Sequence, residues 1–195
     1  MLDNLNYGII GNCKSSAIIN ENSSIDWCCL PKFDSSSVFA KILDEKIGGS
    51  FKIDCDSSYS IRQKYMEKTC ILITTFQNPE NEFQVIDFMP RYQKENGVYY
   101  SPPQIVRVLK LVKGKPKFRV SYNPKLSFSL GKTNNYVKEN FIVSVLNEDR
   151  YETLYLYTAL NKNIVLNSSE ISLCTGISHS HSLFTVSYTH LRAHE

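Results

Sequence analysis

The sequence predicts an all-β protein, a large antiparallel β-sandwich with one short helix near residues 35–46. Apolar and polar residues alternate with period two through most of the chain, as in half-buried strands. Turn residues interrupt that alternation at roughly the 8–12-residue spacing of sandwiches and barrels. A helical repeat is convincing in a single segment.

In chain order, SFKIDC places Phe51, Ile53 and Cys55 on one face and Lys52 and Asp54 on the other. CILITTF and EFQVIDFM flank the turn QNPEN and predict a hairpin. QIVRVLKLV and KFRVSY flank VKGKP, where Gly114 and Pro116 are turn residues. Both faces of the first of these are largely apolar, which predicts a strand covered on two sides. YVKEN, FIVSVL, TLYLYTAL and NIVLN continue the series, separated by Asn-rich breaks. The helix is expected in DSSSVFAKILDEKIGG, where Val38, Phe39, Ile42 and Leu43 follow the helical repeat. Asp34 or Ser35 would cap it, and Gly48-Gly49 would end it.

The 195 residues suit one large domain, and 42% hydrophobic with 21% charged residues is ordinary for a globular chain. A net charge of +3 spread through the sequence gives no footprint for nucleic acid. No apolar run is long enough to span a bilayer as a helix, and no secretory signal is visible at the N-terminus. A cytoplasmic location is therefore expected. The six cysteines follow no C-x-x-C spacing and read as small buried hydrophobes. Cys28 and Cys29, adjacent on a strand, would face opposite sides and could not grip one metal together. No metal site and no cofactor is expected.

Three aspartates invite a catalytic reading, and local context favours structure for each. Asp26 lies opposite Ile25 and Trp27 on its strand and is expected to face outward. Asp34 is placed to cap the helix, and Asp87 to bond the backbone where its strand ends. The 12 tyrosines and 10 phenylalanines would suit sugar stacking. In YETLYLYTAL, core or cross-strand pairing fits the alternation better. His179 and His181 form too sparse a pair to define a metal site.

YGIIGNCKSSAIINENSSIDWCCLPKFDSSSVFAKILDEKIGGSFKI, with EFQVIDFMPR and IVRVLKLVKGKPKFRVSYNPKLSF downstream, resembles the N-terminal β-sandwich domain of glycoside hydrolase family 15. That family includes glucoamylase-type and trehalase-type enzymes. The resemblance runs over roughly residues 5 to 185. It is carried by Gly11, Ile25, Asp26, Trp27, Pro31, Phe33, Asp34, Asp87, Phe88 and Pro90. Asn22-Ser23 stands where the family has Asp-Gly, Cys28 where it has Leu, and Lys32 where it has Arg. Of the first pair, Asn22 is expected to tolerate a left-handed turn.

The resemblance implies an inverting O-glycosyl hydrolase of α-glucosidic bonds, with two catalytic glutamates on an (α/α)6 barrel after the sandwich. No run of helices follows residue 165 here, so none of these residues is expected to be catalytic. The expected partners are that barrel and, through it, trehalose or an α-glucan. A stand-alone carbohydrate-binding module or an interaction domain is the alternative. The domain is expected to span residues 1–186. The last residues, SYTHLRAHE, read as a non-native tail resembling a translated sequencing adapter, which leaves His190 and His194 without a site.

Overall fold

The computed structural model describes residues 6–146, 152–172 and 181–190. Two antiparallel sheets pack face to face. The first holds β1 (Tyr7–Gly11), β2 (Ser16–Asn20), β3 (Ser24–Cys29), β5 (Ser50–Asp54), β12 (Lys117–Asn123) and β16 (Glu170–Ser172) in that order, with β4 (Ser37–Phe39) paired to β3. The second runs β13 (Thr133–Val137), β14 (Phe141–Leu146), β15 (Glu152–Thr158), β17 (His181–His190), β11 (Gln104–Lys113), β8 (Glu82–Phe88), β7 (Leu72–Gln77) and β6 (Ser60–Tyr65). A small hairpin, β9 (Tyr92–Gln93) with β10 (Tyr99–Tyr100), lies between β8 and β11 in sequence.

The core is built by the alternation. Phe51 and Ile53 of the first sheet are fully buried, and Lys52 pairs with Asp54 outside at 2.9 Å. From the second sheet, Phe83 stacks on Phe76 at 4.7 Å and meets Phe118 of the first at 5.7 Å. Such ring contacts across the layers fix their spacing. The hairpin of β7 and β8 forms as expected, Ile73 opposite Ile86 and Phe76 opposite Phe83. The first sheet's edge at β1 is blunted, because the Tyr65 hydroxyl donates to the Ile9 carbonyl and accepts from its N–H.

Four expectations are corrected. Residues 35–46 form no helix: Ser37–Phe39 make β4, with Phe39 opposite Cys28, and tight turns follow. Val38 and Phe39 bury better on a sheet. Asp44 Oδ1 accepts from the N–H groups of Lys46 and Ile47, which competes with helical bonding. Ile42 and Leu43, the rest of the supposed apolar face, are exposed. Gly49 still earns its place, with a φ of +71° and a would-be Cβ 2.4 Å from the Asn123 carbonyl oxygen.

The short helix is instead α1 (Lys162–Leu166), inside the NIVLN segment read as a strand. The Asn161 side chain caps it by accepting from Asn163 and Ile164 N–H, so the Asn break before the run starts a helix. β11 and β12, which flank Gly114, lie in different sheets, so the turn between them crosses the sandwich. The strand rhythm also continues past Val186, since β17 runs to His190 opposite Glu152. Residues 191–195, His194 among them, and His179 lie outside the described residues.

The left-handed residue in the β2–β3 turn is Ser23, at φ +60°, and not Asn22. A non-glycine residue there is strained by about 1 kcal/mol. Its Oγ and carbonyl oxygen both accept from Arg107 Nη2 at 2.8 Å. Ser23→Gly should therefore relieve strain while losing one charge-assisted bond, a net change within about 1 kcal/mol. Urea unfolding checks this; a loss above about 2 kcal/mol would mean that the Oγ bond outweighs the strain.

Candidate functional site

Asp87 and Arg107 face each other on β8 and β11, which pair in that register, and both point into the sandwich. Arg107 Nε lies 2.7 Å from Asp87 Oδ1, and Nη2 lies 3.1 Å from Oδ2. Nη1 donates to the Phe51 carbonyl at 2.6 Å, and Nη2 also reaches Ser23 on the opposite sheet. The guanidinium sits 4.8 Å from the Phe51 ring centroid. Neither charged side chain has any solvent access. Burial pushes the Asp87 carboxyl above the usual carboxylate range, and the guanidinium opposes that shift. Asp87 thus bonds a side chain, not the strand-end backbone expected of it. A sealed pair of this kind joins the sheets, and no substrate can reach it.

The SIDW strand is equally committed to packing. Ile25 is in the core, opposite Phe51. Asp26, expected to face outward into solvent, is 3% exposed. Its Oδ1 accepts from Ser24 Oγ at 2.5 Å, its Oδ2 from Asn20 Nδ2 at 2.8 Å, and its carbonyl from Ile42 N–H. The turn at 40–48 thus lies beside it. Burial first, and Asp26 second, push the Tyr7 hydroxyl up. Trp27 is half-buried in a cross-strand row with Ile18 and Ile9 on the outer face of the first sheet.

Past β3 the Leu30–Pro31 peptide is cis, and the loop then carries Phe33, 59% exposed, and Asp34, also exposed. Asp34 caps nothing; Ser35 Oγ accepts from Lys32 N–H in its place. Cys28 and Cys29 are both buried, since β4 covers the side that alternation leaves open. Cys13 and Cys70 are exposed, contrary to the expectation that the cysteines are buried, because both sit in turns.

Burial raises the Cys28 thiol far above its ordinary value near 9, and pushes Cys55 up to about 12. The folded state therefore holds protons that the unfolded chain releases above about pH 9. Stability should fall with rising pH there, by about 1.4 kcal/mol per pH unit for each such group. Urea midpoints that stay flat from pH 8 to pH 10.5, on an order-of-magnitude scale set by those thiols, would contradict this.

A surface depression of about 340 Å³ brings together Gly11, Phe88 and Pro90 with Met89, Arg91 and Tyr92. None of its lining residues carries a carboxylate. Tyr92 and Tyr99 stand exposed on the neighbouring β9–β10 hairpin, with the Arg91 guanidinium 4.2 Å from the Tyr99 ring centroid. Of the motif residues, only Gly11, Phe88 and Pro90 converge; Ile25 and Asp87 are core, and Pro31, Phe33 and Asp34 form a separate loop. Among the described residues no cluster of three His, Cys, Asp or Glu side chains could hold a metal. No helix there is long and apolar enough to cross a membrane.

Sequence reasoning missed Asn12, which is 2% exposed. Its Oδ1 accepts from Lys14 and Ser15 N–H, its Nδ2 donates to the Pro102 carbonyl, and its own carbonyl accepts from Ser101 Oγ. The Asn between two alternating runs was the available signal. Arg107 was read only as one member of an alternating strand.

These features define a two-sheet antiparallel sandwich domain whose motif carboxylates serve packing. Residues 5–149 match the trehalase-like, N-terminal family, and the chain belongs to it. It is 34% identical over 139 residues to Trehalase 2 of Sulfolobus acidocaldarius, covering 71% of this chain and 22% of that protein. It is 33% identical over 130 residues to a trehalase of Thermoplasma volcanium, covering 65% of this chain and 20% of the relative. A trehalase of Mycobacterium tuberculosis matches at 23% identity over 175 residues, 79% of this chain and 25% of that protein. The chain thus spans about a fifth to a quarter of the length of these relatives. No solved structure matches it significantly.

Proposed function

We propose that this chain is the non-catalytic N-terminal sandwich of a longer glycoside hydrolase of the trehalase type. In this reading the α-glucosidic bond is cleaved elsewhere in the protein, on a helical barrel with two glutamates, as in glycoside hydrolase family 15. Trehalose is the favoured substrate because the curated relatives are named trehalases; glucoamylase-type glucans are the wider class.

The carrying observation is the state of the motif carboxylates. An inverting glycosidase needs an acid and a base flanking an open cleft, roughly 6.5–9.5 Å apart. Here Asp87 is sealed against Arg107, Asp26 is bound by Ser24 and Asn20, and Asp34 stands on an exposed loop. Free thiols at Cys13, Cys28, Cys29, Cys55 and Cys70 support a reducing, cytoplasmic location. The test is glucose release from trehalose. The 195-residue chain should release none, and the longer product of its gene should release it. Turnover by the short chain alone would overturn the non-catalytic role.

The exposed Tyr92 and Tyr99 favour a second reading, a sugar-binding module that stacks pyranose rings on the β9–β10 hairpin. Calorimetric titration with trehalose and maltooligosaccharides separates the two. Binding lost on Tyr99→Ala supports the module, and silence at millimolar ligand ends it.

A further inference from the structure

The two outer faces of the sandwich differ in chemistry. On the first sheet, the outward positions of β5 and β12 are polar or charged, including Lys52, Asp54, Lys117 and Arg119. Lys117 pairs with Glu170 of β16 at 3.1 Å. That is the face a solvated antiparallel sheet presents, with apolar residues turned in and polar residues out.

The second sheet breaks this pattern. Its inward residues are accounted for by the core, yet its outward positions are apolar across most of its width. Val143 on β14, Tyr155 on β15, Val108 on β11, Ile86 on β8 and Ile73 on β7 all point away from the core and are only half-buried. Toward the β13 edge, Tyr157 is 42% exposed and Tyr136 is 50% exposed. Phe141 packs its ring 5.3 Å from Tyr155 and 5.4 Å from Tyr157, so these aromatics shield only one another. The other outward apolar group, Ile9, Ile18 and Trp27 on the first sheet, is confined to three strands at one edge. Apolar surface spread over several strands marks a contact surface.

What covers it is indicated by length. The relatives carry roughly four times as much chain again beyond the part this chain spans. We propose that the outer face of the eight-stranded sheet is the docking surface for that remaining part of a trehalase-length chain. This rests on the reading that the chain is one domain of a longer hydrolase, and it adds which face of the sandwich carries the contact. The occupant presents an apolar surface of its own, with polar groups at its margin for the Tyr136 and Tyr157 hydroxyls.

The test uses the full-length product of the gene. A photo-reactive benzoylphenylalanine is placed, one position at a time, at Tyr157, Tyr136 or Val143, and as controls at Asn123 and Ile9. After irradiation, the crosslinked peptides are identified by mass spectrometry. The Tyr157, Tyr136 and Val143 positions should crosslink within the same molecule to peptides beyond the sandwich, and Asn123 and Ile9 should not. Tyr157→Glu with Val143→Lys in that protein should split one unfolding transition into two. The same double substitution in the 195-residue chain should leave its unfolding midpoint unchanged.

Crosslinks from Ile9 or Asn123 in place of the second sheet would overturn the docking surface. So would crosslinks joining two copies of the chain, which would make the face a self-association surface. Either result leaves the longer-hydrolase reading intact. A gene that encodes nothing further would overturn both.

Discussion

Asp87→Asn is expected to cost about 3–5 kcal/mol of folding stability, although it changes almost no volume. The reason is what it leaves behind. Arg107 has no solvent access and cannot shed its proton, so removing its carboxylate strands a buried positive charge. Arg107→Met alone should cost a comparable amount, because it orphans Asp87 and removes the donor to the Phe51 and Ser23 carbonyls. The double replacement Asp87→Leu with Arg107→Met removes both charges and should lose less than the sum of the single changes. It should not return to parent stability, since those two carbonyls still lack a donor, at about 1–3 kcal/mol each. Urea unfolding of the four proteins reads the cycle. A cost of about 1 kcal/mol or less for Asp87→Asn would show that water reaches the pair and that it does not bind the sheets together.

Very little of that site could be read from the sequence. Asp87 and Arg107 are 20 positions apart, and their facing depends on the register of β8 with β11. Register follows from turn geometry and from which face is buried, and neither is visible along the chain. SFKIDC was legible because its alternation names its faces outright. VFAKIL was not, because Val38, Phe39, Ile42 and Leu43 satisfy a helical repeat and a strand-then-turn equally well; the Asp44 carboxylate and the β3 edge decided it. The apolar character of both faces of β11 was legible, but not its cause. One face meets the core, and the other lies on an outer surface with no covering layer among the described residues.

Ser23 shows a different limit. The Asn22-Ser23 pair pointed to Asn as the left-handed residue on intrinsic preference, yet the fold places Ser23 there. The hydrogen bonds from Arg107, 84 positions away, hold that conformation. Local propensity is a weak prior where a distant charge-assisted bond fixes the backbone.

Phe51→Ala carries the second large effect, an expected loss of about 3–5 kcal/mol. Phe51 is fully buried on β5 and reaches across the sandwich. Its ring meets Phe184 of the opposite sheet edge-on at 5.7 Å, and Tyr122 beside it edge-on at 5.4 Å. The Arg107 guanidinium caps another side. Truncation leaves a cavity between two sheets whose spacing other aromatics hold, so the walls cannot collapse to fill it. Phe51→Leu keeps most of the volume but loses the ring contacts, each worth about 0.5–1.5 kcal/mol, and should fall between the parent and the alanine variant. The coupling to Arg107 is the sharper readout. The ring and the guanidinium are in contact, so Phe51→Ala combined with Arg107→Met should lose less than the two separate losses added together. Strict additivity would mean that the guanidinium does not lean on the ring, and that the backbone carbonyl of Phe51 is its only partner in that residue.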